Sequence, residues 1–148
     1  MVATRFAVAI HILLLLACRP VGGPATSQVI AASVNTNPVV VRRITGQLAR
    51  AGLVRVRRGP GGATLARPPT EITLADIWAA MNAGRCRAIL PLHAAPNLAC
   101  PVGREVRAVV GCAFAAVEVA MQEALARTTL GALMERLRLA GERGTGVG

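Results

Sequence analysis

The chain has 148 residues and a net charge of +10 at pH 7, which is long enough for one domain with a real core. Its basic residues are all arginine; residues 1–70 carry nine Arg and no acid, whereas residues 71–148 carry eight Arg and all seven acids. Composition bias explains arginine without lysine but not acids sorted to one end, and a one-sided basic field is the footprint of a polyanionic partner. Two classes are disfavoured: single-strand binders need aromatic platforms and the aromatics stop at Phe6, Trp78 and Phe114, while one Asp and two His offer no nucleophile–base pairing or metal cluster for an enzyme.

Phe6 to Cys18 is an apolar run interrupted only by His11. Arg5 precedes it and Leu15-Leu16-Ala17-Cys18 matches a lipoprotein cleavage box, so export with acylation at Cys18, or another membrane association, is one reading. The run is too short to span a bilayer as a helix. The other reading is a fully buried first helix of an α-rich domain, with His11 as a core or interface histidine. The acid-free, arginine-bearing stretch that follows favours the second, because an element built for a polyanion is expected in the cytoplasm. Arg19-Pro20-Val21-Gly22-Gly23-Pro24 then ends the helix in a loop.

Residues 26–67 organise the chain. Ser27 is the expected hydroxyl cap of a short helix through Ala32. Asn37-Pro38 is a second start signal, with Asn capping and Pro at the first helical position, where its missing N–H costs nothing. That helix buries Val41, Ile44 and Leu48 at helical spacing and stops at Gly52. Its other face carries Val39, Arg42, Arg43 and Arg50. Leu53–Arg57 and Ala63–Arg67 read as strands joined by Arg58-Gly59-Pro60-Gly61-Gly62, a tight hairpin.

Pro68-Pro69 breaks the chain, and Thr73 caps a helix from Leu74 to about Met81 that buries Leu74, Ile77 and Met81 beside Trp78. Residues 83–100 are irregular. A helix from Val102 to Leu125 follows, with an apolar stripe through Val102, Val106, Val109/Val110, Ala113, Val117, Met121 and Leu125, kept slim by alanines. At about 36 Å it exceeds what this core needs, so part of the stripe is expected to pack on a second copy. Thr129 caps a last helix through Leu137, and residues 141–148 read as a frayed tail. The fold class expected is mainly α with a small β-hairpin: a winged helix-turn-helix domain over 1–82, a loop or sensor region over 83–101, and dimerisation helices over 102–140.

Four segments together carry a resemblance: Asn35-Thr36-Asn37-Pro38; Leu48-Ala49-Arg50-Ala51-Gly52-Leu53-Val54; Arg58-Gly59-Pro60-Gly61-Gly62 with Leu65-Ala66-Arg67; and Ile72-Thr73-Leu74-Ala75-Asp76-Ile77. They resemble the Rrf-two family of bacterial winged-helix transcription regulators over nearly the whole chain. The resemblance implies a cytoplasmic homodimer whose long helices cross, with two heads on adjacent major grooves of double-stranded DNA and no membrane partner. It places Val39, Arg42 and Arg43, on the helix capped by Asn37, at base edges, where arginine reads guanine. Arg58 at the wing tip reaches a minor groove, helped by Gly61 and Gly62. Thr26, Ser27 and Gln28 meet phosphate at a helix start. The implied dimer interface is Val106, Val110, Ala113, Val117 and Met121.

Cluster-binding members of that family carry three closely spaced cysteines before the long helix. Here Cys86, Cys100 and Cys112 are too widely spaced, so no iron–sulfur cluster, other metal or cofactor is expected. Cys100, just before a helix start with Arg104 one turn on, is the redox-sensor candidate. Cys18 and Cys112, on apolar helices, are expected to be packing residues. A repressor is the expected role.

Overall fold

The computed structural model describes residues 2–19, 25–84 and 88–144. Loop 20–24, Cys86 and the last four residues, which the sequence reading assigned to a loop, to the cluster question and to the tail, lie outside the described residues.

Helix α1, Val2–Cys18, buries Ala9, Ile12 and Leu13 completely. Their spacing puts them on one face, so this helix is not buried all round as its composition suggested. An apolar run can bury only the face that meets other elements, and here much of the helix stays half-buried. His11 is a case in point: it is exposed, with its Nε2 3.3 Å from the Ser33 hydroxyl, rather than a core histidine. Cys18 at the end of the helix is exposed too and is not a packing residue.

Helix α2, Ser27–Val34, is capped by Thr26 rather than Ser27: the Thr26 backbone is extended (φ −69°, ψ 160°) and its Oγ1 accepts from Val29 N. Helix α3, Pro38–Arg50, begins as expected, with Asn37 Oδ1 accepting from Val39 N at 2.8 Å. It buries Val41, Ile44, Thr45 and Leu48. Gly52 at φ +73° turns the chain so that Leu53 N returns to Leu48 O at 3.0 Å, a left-handed closure that suits glycine. Strands β1, Val54–Val56, and β2, Ala63–Leu65, pair antiparallel with Val54 opposite Leu65 and Val56 opposite Ala63. Both are shorter than the sequence suggested, and a single 3₁₀ turn over Gly59–Gly61 joins them.

Helix α4, Leu74–Asn82, opens with a capping box: Asp76 N donates to Thr73 Oγ1 at 3.1 Å and Thr73 N to Asp76 Oδ2 at 2.9 Å, two orphan donors satisfied at once. It buries Ile77, Ala80 and Met81, while Leu74 is only half-buried. Trp78 and Phe6 pack at right angles, with ring centroids 5.1 Å apart. The buried side chains of α1 to α4 and the wing form one core, which Leu130 completes.

Helix α5, Pro101–Arg127, has no buried residue among its 27. Helix α6, Leu130–Gly144, runs through the first residues read as tail; Thr129 Oγ1 accepts from Ala132 N at its start. The α5–α6 junction is tied into the head by backbone bonds, Leu74 N to Thr128 O at 2.9 Å and Leu130 N to Ile72 O at 2.8 Å. Residues 88–99 lie as a strap along α5. Glu118 accepts from Ile89 N and Leu90 N at 2.7 and 3.1 Å, and Arg107 donates to Ala94 O at 2.8 Å. At the near end Gly103 sits so close to the Asn97 carbonyl that a Cβ would collide with it.

Candidate nucleic-acid interface

Helical geometry sorts the α3 side chains. Val41, Ile44, Thr45 and Leu48 face the core, so at 100° per residue the outermost line runs through Val39, Arg43, Gly46 and Arg50. Val39 is 62% exposed and Val40 41%, and Arg42, Arg43 and Arg50 are exposed. Arg42 is turned from that line toward the wing, where it helps to line a groove of about 420 Å³ with Thr26, Ser27, Gly46, Val56 and Arg57. β1 adds the exposed Arg55, Arg57 follows the strand, also exposed, and Arg58 begins the wing tip. The start of α2, with Thr26 and Ser27 half-buried and Gln28 exposed, opens into the same groove.

Among the described residues none of Arg42, Arg43, Arg50, Arg55, Arg57 and Arg58 has an ion pair; the bridges run instead from Arg67 to Asp76 and from Arg138 to Glu135 and Glu142. Six unneutralised guanidinium groups beside a helix N-terminus suit polyanion binding. Arg43 stands on the outer line with the exposed Val39, whereas Arg42 and Arg57 flank the groove.

The two wing glycines have a role that the sequence reading did not see. Gly62 (φ +60°) approaches the start of α2 so closely that a Cβ would stand 2.6 Å from the Ala25 carbonyl carbon and oxygen. Ala63 N donates to that same Ala25 oxygen at 3.1 Å. Gly62 therefore seats the wing against the head. A Cβ at Gly61 would meet the side chain of Arg57 at 2.8 Å. The sequence reading also passed over Arg55, Arg57 and Gly46; alternation along β1 was the signal available for the first two.

Of the five residues expected at a dimer interface, Ala113 and Val117 are exposed and Val106, Val110 and Met121 half-buried. Val106 and Val110 border a cavity of about 170 Å³ closed by Pro91, Leu92 and His93 of the strap. The open face is rotated toward Val102, Val109, Ala113, Ala116, Val117 and Ala120, with Val102 at 71% and Val109 at 68% exposure. Cys100 is exposed as the N-cap of α5, with no side-chain capping bond. Cys112 is exposed as well, so it does not pack in the core of its own chain.

Helix, turn, helix and two-stranded wing, followed by a long helix outside the core, define a winged helix-turn-helix regulator. A family model described as "Iron-dependent Transcriptional regulator" matches residues 2–136, and the chain belongs to that family, Rrf2, the Rrf-two family of the sequence resemblance. The chain is 37% identical to YwnA of Bacillus subtilis (strain 168), named as a candidate HTH-type transcriptional regulator, over 93% of this chain and 99% of that one. It superposes on a crystal structure described as a candidate DNA-binding protein with a TM-score of 0.69 and 36% identity, covering 88% of this chain and 98% of the other. T. potens IscR shares the fold at TM-score 0.68 and 22% identity, over 93% of this chain and 88% of that one.

The family description implies iron, and the donors among the described residues do not fit it. Among the described residues no three His, Cys, Asp or Glu side chains converge as a metal group. Cys100 and Cys112 stand at the start and twelve residues along one helix, about 18 Å apart by helical rise, too far to share a cluster.

Proposed function

We propose that the chain is a cytoplasmic homodimeric repressor that binds a palindromic operator, pairing through α5 and blocking transcription by occupying the site. The observation that carries the DNA reading is the convergence of α3, the wing and the α2 start on one face whose arginines have no partners among the described residues. Arg43 and Val39 read bases. Arg42, Arg57 and the α2 start hold phosphate, and Arg58 enters a minor groove.

Pairing rests on α5. It is long and apolar enough to cross a membrane by length and composition, with a mean hydropathy of 1.5 over its most apolar stretch. An exposed apolar face of that size needs a cover. Glu105, Arg104, Arg107, Glu118 and Glu123 along the same helix, and a DNA-binding face on the same chain, favour a second copy over lipid. The small side chains Ala113, Ala116 and Ala120 let two helices approach closely.

The test is selection of duplexes from a random-sequence library by the purified protein, followed by titration against salt. A palindromic consensus is expected, bound by two copies, with affinity falling about a thousandfold between 50 and 200 mM salt if about six phosphates are neutralised. Recovery of no consensus, or binding by a monomer, overturns the reading.

A second reading concerns control. The Cys100 thiol stands exposed at the α5 start, where the strap bonded to Glu118 and Arg107 ends. Oxidation there adds bulk or charge at the junction of strap and long helix, and this is proposed as the signal that changes operator affinity.

A further inference from the structure

Glycine in the middle of a helix destabilises it relative to alanine, and the usual justification is a neighbour that leaves no room for a Cβ. Gly46 lies in the middle of α3, and a Cβ built on it meets nothing within 4 Å. Its φ lies outside the positive range that favours glycine. Neither packing nor backbone conformation within the chain therefore calls for this residue. It sits on the outermost line of α3, one turn beyond Arg43 and two beyond Val39.

Val39 presents the converse anomaly. At 62% exposure it is a β-branched apolar side chain in the first turn, where neither helix propensity nor burial favours it. The line thus reads apolar methyls, guanidinium, bare backbone, guanidinium.

We infer that this line sets the depth and the base preference of DNA recognition: Gly46 lets the wall of the major groove reach the α3 backbone, and Val39 then packs on a thymine C5-methyl beside the guanine read by Arg43. The inference rests on the DNA-binding reading above and deepens it. The chemistry is that of a groove edge in which thymine alone presents a methyl group. A helix seated one methyl layer closer brings a short valine into contact with that methyl. A longer side chain at position 46 would hold the helix away.

The experiment pairs G46A with a change in the DNA. The probe is the duplex that the wild-type protein recovers from a random library. G46A is expected to melt a few degrees higher than wild type, by about 2–4 °C for a chain of this size, while binding the probe about tenfold more weakly, as an extra methyl in a filled contact does. Opposite signs for stability and affinity distinguish close approach from a folding defect. Replacing the contacted thymine by deoxyuridine removes one methyl and should weaken wild-type binding about fourfold, and should leave the binding of V39A unchanged. Unchanged affinity in G46A, a lower melting temperature in G46A, or indifference of the wild type to deoxyuridine at every thymine of the half-site each overturns the inference while the DNA-binding reading stands. Failure of the wild type to recover any duplex overturns that reading instead.

Discussion

Replacing Gly62 by alanine should release the wing from the head. The backbone there has φ +60° and ψ −150°, a region that is essentially glycine-only and costs another residue about 1–3 kcal/mol. The added Cβ would stand 2.6 Å from the Ala25 carbonyl, and relieving such overpacking costs about 1–3 kcal/mol more. Moving the strand away also forfeits the bond from Ala63 N to Ala25 O, about 1 kcal/mol. A total of about 5 kcal/mol corresponds to a melting temperature lower by about 10–20 °C at this chain length. Differential scanning calorimetry measures it, and fluorescence anisotropy on a labelled operator measures the accompanying loss of DNA binding. Gly59→Ala is the control: it shares a positive φ (+79°) but meets nothing within 4 Å, so it carries the backbone strain without the collision and should lower the melting temperature much less. Equal melting of Gly62→Ala and Gly59→Ala, with wild-type DNA affinity in both, would refute the reasoning.

Arg43→Ala should cost about 1–3 kcal/mol on the selected operator and relax the preference at one base pair; a loss of the same size on random duplexes would reassign Arg43 to phosphate. Val117→Asp puts a charge in the proposed α5 seam, which costs several kcal/mol if buried unpaired, so the protein should elute as a monomer from a sizing column; a dimer that survives would move the interface elsewhere. Cys100→Ser should bind operator like wild type and stop responding to peroxide, with peptide mass spectrometry tracking the modified thiol, and a response that persists in this variant removes Cys100 as the sensor. Thr73→Ala removes half of the capping box and should destabilise the head by about 1 kcal/mol, read as a shift in urea midpoint without a change in slope; a change in slope would mean that more than a cap was lost.

The order of elements was readable because the strongest local signals agreed with the tertiary structure. Asn37-Pro38 starts α3, Gly52 ends it, and Thr73 opens α4 where expected. Local signals failed where two neighbours were chemically equivalent or where the third dimension decided. Thr26 and Ser27 both offer a hydroxyl, and only the backbone angles select Thr26 as the cap. The apolar run of α1 does not say which side meets the core, so Cys18 reads as a packing residue and His11 as a core or interface histidine, although within the chain both face solvent. The stripe along α5 merged two adjoining faces. One, with Val110 and Met121, is half-covered by the chain itself, and the other, with Val109 and Val117, is open. The strap could not be foreseen, because it is held by bonds from Glu118 and Arg107 to backbone groups 13 to 29 residues away, and neither residue type advertises a backbone partner. Gly46 and Gly62 look alike in sequence, and only the backbone angles and the space around each separate a glycine required by the fold from one that is not.

The backbone bonds that lock the end of α5 into the head, Leu74 N to Thr128 O and Leu130 N to Ile72 O, give the molecule the mechanics of a lever. The 27 residues of α5 form an arm about 40 Å long, clamped at its far end to the body that carries α3. In a pair crossing at Ala113 and Ala116, about half of that arm, roughly 20 Å, lies between crossing and clamp, so a change of crossing angle of about 10° sweeps a head through about 3.5 Å, roughly one base-pair step along the duplex. The head need not deform to change its grip: a small torque near the crossing is geared up into a mismatch between two recognition helices and two grooves. The same gearing makes α5 the place where substitutions far from any nucleotide would retune the half-site spacing that the regulator accepts.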